Sequence, residues 1–431
     1  MSAPATGLDA RRVRAGNAVA WLFVPFVAVA QFATFGTPLV RMSYPIVGIS
    51  WLTYELIALV LLAGAAAPWL WWRRRELGRP LILVMASFTA LVAYGIVSAL
   101  VRPEPGVRFD NRDWIVDPIF LVVPLATAWL AMIAGVGLVL AAERPRRLRV
   151  LVVGAAAALP LAFLAWPMHA VAIGSIRFAT GQGGAAVVHV LLLLAAAFAL
   201  AWYLAGGSRR RRVLSLCLVG AAVVGIVATQ SRGALITLLI WGVLLAVGRI
   251  KGSGQAARLA WPLVIAAAAL AFIAPVIPGA SRVLSLADPL RLGNIEVSLR
   301  LWSADAATVV FGTGPGGVWP WHFFESMTAH PREYETVAGN VLGTPHSTPL
   351  AALVELGLVG AALLACVLAG VALIALGARG TVTRWAVAAA VLATLVAFLF
   401  DTYLLRNFGI ALWWWAAVAL VATWPAEEEK P

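Results

Sequence analysis

Three side chains in this sequence, Arg232, Arg300 and His346, could carry out chemistry together. Two guanidinium groups suit a diphosphate, because each planar fork can donate two hydrogen bonds to phosphate oxygens. A neutral imidazole suits removal of a proton from a hydroxyl group. The chemistry this set implies is transfer of a group from a diphosphate to an alcohol. The arginines could neutralise the leaving group without a metal ion.

Arg232 lies in TQSRG, between the apolar stretches 213–228 and 234–248, which are barely long enough for two membrane crossings. A charge inside the bilayer costs about 2.5–3.5 kcal/mol at a helix centre, so it indicates a function by default. The alternative is an arginine that extends to headgroup phosphates. Arg300, in SLRLWSADAA, flanks an apolar helical stripe, where a membrane anchor is the alternative.

His346 opens HSTPLAALVELGLVG, where a long polar segment meets an apolar stretch. A helix N-terminus disfavours imidazolium, which favours a neutral histidine that can act as a base. A capping or headgroup-binding histidine is the alternative. The other histidines lack metal-ligand spacing, and neither HExxH nor CxxC occurs. We therefore expect no metal site and no cofactor.

The composition predicts a membrane protein. Of 431 residues, 62% are hydrophobic and 12% are charged, whereas soluble domains average about 25% charged. Repeated apolar stretches of about 20 residues indicate an all-α polytopic membrane protein. The two cysteines, Cys217 and Cys366, lie within predicted spans, so we expect no disulfide.

The net charge of +13 could indicate a nucleic-acid partner, but its distribution argues against one. Basic residues form short clusters at every second loop, which is the positive-inside pattern of membrane proteins. We therefore expect membrane lipids and no nucleic acid. The clusters are Arg11, Arg12 and Arg14; Arg73 to Arg75; Arg144, Arg146, Arg147 and Arg149; Arg209 to Arg212; Arg249, Lys251 and Arg258.

The apolar pattern predicts about twelve transmembrane helices in a single integral membrane domain, 1–431, with both termini in the cytoplasm. Outward segments are longer and more mixed than inward ones, and the longest, 279–347, lies between spans nine and ten. The predicted spans are 16–36, 46–72, 80–101, 114–142, 148–171, 184–205, 212–229, 233–249, 258–278, 348–377, 384–401 and 404–424.

The 279–347 segment is predicted to be a periplasmic loop that contains an amphipathic helix. Apolar residues recur there with helical spacing, and Asn294 is the predicted N-cap. The glycine-rich GTGPGG, 312–317, is predicted to end the helix as a turn, because it lacks the lysine and preceding strand of a phosphate loop. The stripe consists of Ile295, Leu299, Trp302, Ala306 and Val309.

Several acidic residues lie in or beside predicted spans and need partners. Arg406 is one candidate partner for Asp401. Glu355 follows His346 by nine residues, about half a helical turn out of phase, which argues against a direct pair. Asp110 and Asp113 are interpreted as a solvated loop and span cap. The acids without an assigned role are Glu55, Asp117, Glu355 and Asp401.

Three motifs in this order resemble the bacterial O-antigen ligase and polymerase superfamily. They are SRGALITLLIW (231–241), RLWSADAATVVFGTGPGGVWPW (300–321) and HSTPLAALVELGLVGAALL (346–364). The resemblance covers about Ser231 to Leu364, together with the twelve-span layout. Ser347 stands where many relatives carry asparagine.

The resemblance implies an enzyme at the periplasmic face of the bacterial inner membrane that uses a glycan on undecaprenyl diphosphate. It assigns the diphosphate to Arg232 and Arg300 and activation of the acceptor hydroxyl to His346. Arg177 and Arg41 are further outward arginines that could guide the donor. The implied transfer inverts the anomeric carbon and needs no metal.

The resemblance leaves the acceptor open. A ligase moves the whole glycan to a lipid A–core sugar, and we favour it for the strength of the SRGA and HS-x-x-L patterns. A polymerase moves the glycan to a second lipid-linked repeat unit. A transporter of lipid-linked glycans is a third reading. Transporters place charges and broken helices near the midplane, often in repeated halves, whereas here the halves differ and polar residues crowd toward one face.

Overall fold

A computed structural model describes residues 7–32, 54–101, 107–109, 112–114, 118–248, 289–318, 335, 344–378 and 381–424. Nearly all of these residues are helical, as lipid requires of a chain whose backbone must satisfy its own hydrogen bonds. The helices are α1 Gly7–Trp21, α2 Phe23–Val29, α3 Tyr54–Trp72, α4 Gly78–Val101, α5 Pro118–Ala141, α6 Arg147–Ile173, α7 Val188–Leu204, α8 Arg209–Ala228, α9 Arg232–Val247, α10 Pro289–Trp302, α11 Ala306–Phe311, α12 Thr348–Leu376, α13 Val382–Ala397, α14 Tyr403–Arg406 and α15 Phe408–Ala422.

The predicted helical membrane class is confirmed. Six helical stretches are long and apolar enough to cross a membrane, and shorter apolar helices accompany them. Helices occupy every predicted span except the ninth, 258–278, which lies outside the described residues. The total of twelve spans and the periplasmic position of 279–347 stay predictions.

The predicted start of the fourth span is wrong by a few residues. The span predicted from residue 114 begins as a helix at Pro118, because residues 107–109 and 112–114 pair as the antiparallel strands β1 and β2. Val107 is opposite Trp114, and Phe109 is opposite Arg112. The segment interpreted as a loop is therefore a short hairpin.

The predicted amphipathic helix is two helices, and its predicted N-cap is wrong. Helix α10 begins at Pro289, so Asn294 lies inside it. Proline suits the first turn of a helix because its missing N–H needs no partner there. Asp305 then caps α11, accepting hydrogen bonds from the Thr308 amide at 2.8 Å and hydroxyl at 2.7 Å. The predicted end at GTGPGG is confirmed, since α11 ends at Phe311.

The last two predicted spans are also interrupted. Helix α13 ends at Ala397 rather than at residue 401, and residues 398–402 form a turn. The next predicted span is divided into α14 and α15, where the Asn407 side chain accepts a hydrogen bond from the Ile410 amide at 3.0 Å. Asparagine competes for backbone groups and so favours such helix starts.

Helices α7 and α15 form the centre of the bundle. Both are apolar on every side, as expected for helices without a lipid-facing or water-facing surface, and nearly every residue of each is buried. The indole of Trp413 donates to Gln182 Oε1 at 3.0 Å, and that of Trp414 donates to Thr394 Oγ1 at 2.9 Å. Buried indoles need such partners, and these bonds fix the rotation of α15.

One end of the bundle, here called the basic end, contains the linkers 73–77, 142–146 and 205–208. Arg147 at the start of α6 is 1% exposed and pairs with Glu76 at 2.5 Å. It also donates to the Thr423 carbonyl after α15 at 3.1 Å. This ion pair therefore joins both linkers to the C-terminal end of the central helix.

The opposite end, here called the site end, contains the C-terminal end of α4. Tyr94 near that end donates to the Phe311 carbonyl at 3.1 Å. It lies about 24 Å along the helix from Gly78, at 1.5 Å per residue. The α4 helix thus separates the basic clusters from the residues predicted to carry chemistry. This separation agrees with the prediction that the basic loops and the candidate site residues lie at opposite ends of the bundle.

We expect Glu76→Gln to lower the free energy of unfolding by about 3 kcal/mol, because it leaves the buried Arg147 charge uncompensated. Glu143→Gln is the matched control, since Glu143 pairs with a half-exposed Arg146 at 3.1 Å and such pairs contribute about 0–1 kcal/mol. Thermal unfolding of the purified proteins in detergent measures both. Equal stability of the two variants would contradict the role given to the Glu76–Arg147 pair.

The same pair predicts a pH dependence. Burial raises the pKa of the Glu76 carboxyl, but the hydrogen bond and charge of Arg147, with Arg73 and Arg144, hold it below its ordinary value of 4.5. A lowered pKa adds stability above the unfolded value, and that stability is lost as pH falls through the folded value. The difference between wild type and Glu76→Gln should therefore be full near pH 7 and shrink progressively below about pH 4.5.

Candidate functional site

The turn formed by residues 398–402 holds the start of α12. The Thr348 amide donates to the Phe398 carbonyl at 2.8 Å, and the Thr348 hydroxyl donates to the Asp401 carbonyl at 2.7 Å. Thr348 is fully buried. The two bonds fix residues 346–348 against this turn, which is called the 398–402 turn below.

Helix α9 approaches the same turn through the residue after Arg232. A Cβ atom at Gly233 would lie 2.9 Å from the Phe400 ring, so only glycine allows this approach. Arg232 is the first residue of α9 and follows the N-cap Ser231. A cation is disfavoured at a helix N-terminus, whereas an anion is favoured there. The position is thus poor for an isolated arginine and good for one that binds an anion together with the helix amides.

Helix α10 contributes Arg291 to the turn. The Arg291 guanidinium lies over the Phe400 ring, 5.5 Å from its centroid. One turn later, the Asn294 side chain donates to the Thr344 carbonyl at 3.4 Å. These two contacts show that this face of α10 is directed at the 398–402 turn and at the segment before His346.

His346 connects that segment to α12. It lies between the buried Pro345 and the N-cap Ser347, and its side chain is exposed. The Ser347 hydroxyl caps α12 by accepting a hydrogen bond from the Leu350 amide at 3.4 Å. The imidazole is therefore presented at the surface of the site end, two residues from the anchored Thr348.

The backbone is strained at two places in this region. Among the described residues, the non-glycine residues with positive φ are Gln230, at 49°, and His346, at 48°. Such conformations cost about 1–3 kcal/mol and cluster at functional sites, where surrounding contacts maintain them. One strained residue is His346 itself, and the other is two positions before Arg232. The strain thus coincides with one of the three predicted positions and lies two residues before another.

Arg177 lies beside the linker between α8 and α9. Its Nε donates to the Thr229 carbonyl at 2.9 Å, and the Phe178 amide donates to the Ala228 carbonyl at 2.9 Å. The 174–184 segment is therefore attached to the strained turn that leads to Arg232. The structure brings Arg177 to the site end, whereas Arg41 lies outside the described residues. A donor-guiding role for either arginine stays a prediction.

Arg300 lies on a different part of α10 from Arg291. Nine residues separate the two, which is about half a turn around the helix and about 13 Å along it. Arg300 is half-exposed and pairs with Glu296 at 3.4 Å. The contact between α10 and Phe400 is made by Arg291. Binding by Arg300 is therefore still a prediction, whereas Arg291 has a described contact at the turn.

The GTGPGG loop is attached to a break in α12. Gly357 has φ 64° and ψ −163°, so the helix is interrupted there. The interruption releases carbonyls that a continuous helix would use, and the Val354 and Glu355 carbonyls accept from the amides of Thr313 at 2.8 Å and Gly314 at 2.9 Å. The loop therefore serves as a turn, as predicted, and holds α11 on α12.

Glu355 forms an ion pair with Arg406 beside this break. Arg406 therefore pairs with Glu355 of α12, and its predicted pairing with Asp401 is wrong. The Asp401 side chain accepts a hydrogen bond from the Thr402 amide at 2.7 Å. The Glu355–Arg406 ion pair links α12 to the short α14 helix, which follows the 398–402 turn directly.

The arrangement can bind an anion and remove a proton. Gly233, next to Arg232, packs on Phe400, and Arg291 lies over the same ring. Arg177 lies beside the linker before α9, and His346 begins the segment anchored by Thr348. The guanidinium groups suit phosphate oxygens, and the exposed imidazole suits a hydroxyl.

A known protein family matches the part of the chain that carries the three motifs. Residues 217–365 match the family model described as O-antigen ligase, so the resemblance predicted from the three motifs is confirmed. The family covers O-antigen ligases and polymerases, which are membrane glycosyltransferase-like enzymes and act on lipid-linked glycans. With its apolar helices, the chain is a multi-pass membrane protein. No curated protein matches the chain.

Sequence reasoning missed Arg291 and the 398–402 turn. A signal for Arg291 exists, since Asp288 followed by Pro289 is a typical helix start and would have placed Arg291 in the first turn of α10. The turn itself has no such local signal. Phe400 looks like one more apolar residue of a span, and its role depends on contacts with Gly233 and Arg291.

We expect Gly357→Ala to detach the GTGPGG loop. An added Cβ would lie 2.3 Å from the Val310 carbonyl oxygen, and alanine also disfavours the positive φ. The loss should be about 1–3 kcal/mol in thermal unfolding. Gly220→Ala on α8 is the control, because a Cβ there meets nothing within 4 Å. A Gly357→Ala protein as stable as the control would show that the break is dispensable.

Proposed function

We propose that this protein is an O-antigen ligase: it transfers a glycan as one block from undecaprenyl diphosphate to a hydroxyl of a lipid A–core oligosaccharide. The observation that supports this most is the convergence of Arg232, Arg291 and the His346 segment on the 398–402 turn. All three residues lie within the segment matched to the O-antigen ligase family. We favour a ligase over a polymerase for the strength of the SRGA and HS-x-x-L patterns in the sequence.

In this proposal the arginines hold the diphosphate. Arg232 and the first amides of α9 bind it together, because both attract an anion at the same place. The family resemblance assigns Arg300 to the diphosphate, and the contact with Phe400 adds Arg291 from the same helix. Arg177 and Arg41 guide the donor toward the site. As charge builds up on the leaving diphosphate, fixed guanidinium groups stabilise it without a metal ion.

His346 acts as the base. The acceptor hydroxyl oxygen attacks the anomeric carbon as the imidazole takes the hydroxyl proton. The bond between that carbon and the phosphate oxygen breaks, and its electron pair leaves with undecaprenyl diphosphate. Attack from the face opposite the leaving group inverts the anomeric configuration. The proton on His346 then passes to solvent.

The orientation follows from the two ends of the bundle. Basic linkers favour the cytoplasm, so we place the basic end and both termini there. The site end then faces the periplasm, where 279–347 forms the loop over the membrane surface. In a bacterium with two membranes, the location that we propose is the inner membrane.

The direct test is transfer by purified protein. The reaction contains undecaprenyl-diphosphate-linked glycan, a lipid A–core acceptor and a metal chelator, with no nucleotide. We expect His346→Ala to lower the rate by about 10²–10⁴-fold, the range for loss of a positioned base. Arg232→Ala should also abolish most transfer. Arg209→Gln at the basic end is the control and should retain the wild-type rate.

The products separate the alternatives. Longer chains from the lipid-linked donor alone would identify a polymerase. Absence of transfer with every acceptor, combined with full function of His346→Ala in cells, would overturn the enzyme and reopen the transporter reading. Circular dichroism and membrane insertion of each variant exclude loss of folding as the cause.

A comparison of Arg291→Ala with Arg300→Ala locates the diphosphate on α10. A guanidinium that binds the diphosphate in the ground state and the transition state contributes to kcat/KM for the donor. We expect each substitution to lower this ratio by about ten-fold or more, as loss of a charge-assisted hydrogen bond implies. A wild-type ratio for either variant would remove that arginine from the site, while Glu296→Gln, which removes the partner of Arg300, controls for the ion pair.

A further inference from the structure

A cavity of about 610 Å³ lies at the basic end, far from the 398–402 turn. It is bounded by the linkers 73–77 and 142–146 and by Val13 of α1. Five of its eight lining residues are charged. The lining residues are Val13, Trp72, Arg73, Arg75, Glu76, Glu143, Arg144 and Pro145.

The two carboxylates of the lining already have basic partners. Glu76 pairs with the buried Arg147 at 2.5 Å. Glu143 pairs with Arg146 at 3.1 Å. Neither Arg146 nor Arg147 belongs to the cavity lining. Arg73 and Arg144 of the lining also lie near Glu76, at 3.9 and 3.3 Å. With Arg75, Arg146 and Arg147, the group counts five arginines against two carboxylates and is positive.

Three arginines of the lining supply hydrogen-bond donors. Arg73 is fixed by a bond to the Ala142 carbonyl at 2.8 Å. Arg144 donates through Nε to Glu76 at 3.3 Å, which directs its two terminal NH₂ groups elsewhere. Arg75 is exposed and forms no ion pair with any residue that the structure describes. This is a concave group of guanidiniums of the kind that binds phosphate oxygens.

Tryptophans show at which depth the cavity opens. Trp72 lines it, and the neighbouring Trp71 is 72% exposed. Arg73 lies over the Trp72 ring at 5.3 Å, and Arg74 lies over the Trp71 ring at 4.2 Å. Exposed tryptophans at the end of an apolar helix occupy the headgroup level of a bilayer. The cavity therefore opens where lipid phosphates are.

We propose that this cavity binds the phosphate of an anionic phospholipid, with Arg75 and Arg144 as the main ligands and Trp72 beside the glycerol and upper acyl chain. Basic pockets between transmembrane helices at the cytoplasmic side are typical of such sites. A free phosphate ion shares the chemistry of the headgroup. The position of Trp71 and Trp72 favours the lipid. The proposal goes beyond glycan transfer, since it concerns the opposite end of the bundle.

The test is native mass spectrometry of the delipidated, full-length protein in detergent, titrated with phosphatidylglycerol, phosphatidylcholine or inorganic phosphate. We expect one molecule of phosphatidylglycerol to bind tightly to each protein. Phosphatidylcholine should bind more weakly and without saturation. The double variant Arg75→Gln/Arg144→Gln should bind phosphatidylglycerol about twenty-five-fold more weakly, from about five-fold for each arginine near a membrane surface. Arg209→Gln/Arg210→Gln, exposed arginines of the same end, is the matched control and should bind like wild type.

Three outcomes would overturn the proposal. Equal loss in both double variants would show a general effect of charge rather than a site. Equal affinity for phosphatidylcholine would show that the anionic headgroup is not recognised. Displacement of phosphatidylglycerol by millimolar inorganic phosphate, with equal protection against heat, would assign the cavity to the free ion. Thermal unfolding without lipid shows whether the Arg75→Gln/Arg144→Gln protein is folded.

Discussion

Two hydrogen bonds from Thr348, to the carbonyls of Phe398 and Asp401, determine the geometry of the site end. They hold the start of α12 on the 398–402 turn, which also receives Gly233 of α9 and Arg291 of α10. Helices α9, α10 and α12, which are far apart in the sequence, thus all contact the same five-residue turn. Because Thr348 is fully buried, its hydroxyl would cost about 1–3 kcal/mol if unpaired. The requirement to satisfy it is therefore what keeps the turn and α12 together.

The arginines at the two ends of the bundle have different surroundings. At the basic end, Glu76 and Arg147 are a structural pair that joins linkers to the central helix α15. At the site end, Arg232 begins a helix, where the backbone repels a cation. The helix dipole and the first amides of α9 favour an anion at the same place.

The sequence predicted most of the helices, because apolar stretches of membrane length leave few alternatives. The predictions were wrong where a polar side chain interrupts an apolar stretch that was predicted to be one continuous helix. Asn407 begins α15 inside a predicted span, and Asp305 begins α11 inside a predicted helix. In the candidate site, the motifs predicted Arg232 and His346, but Arg291 became apparent only through Phe400. A ring contact across 109 residues has no signal in local composition.

The two strained residues account for the sharp turns of the chain before Arg232 and at His346. At Gln230 and His346 the chain takes a left-handed step directly before a helix begins. Such a step changes the direction of the chain within one residue, so Arg232 and His346 each follow or form a sharp corner. The packing of Gly233 on Phe400 and the bonds of Thr348 then hold both corners in place. A relaxed backbone at either corner would be more stable locally, and it would point the side chain elsewhere.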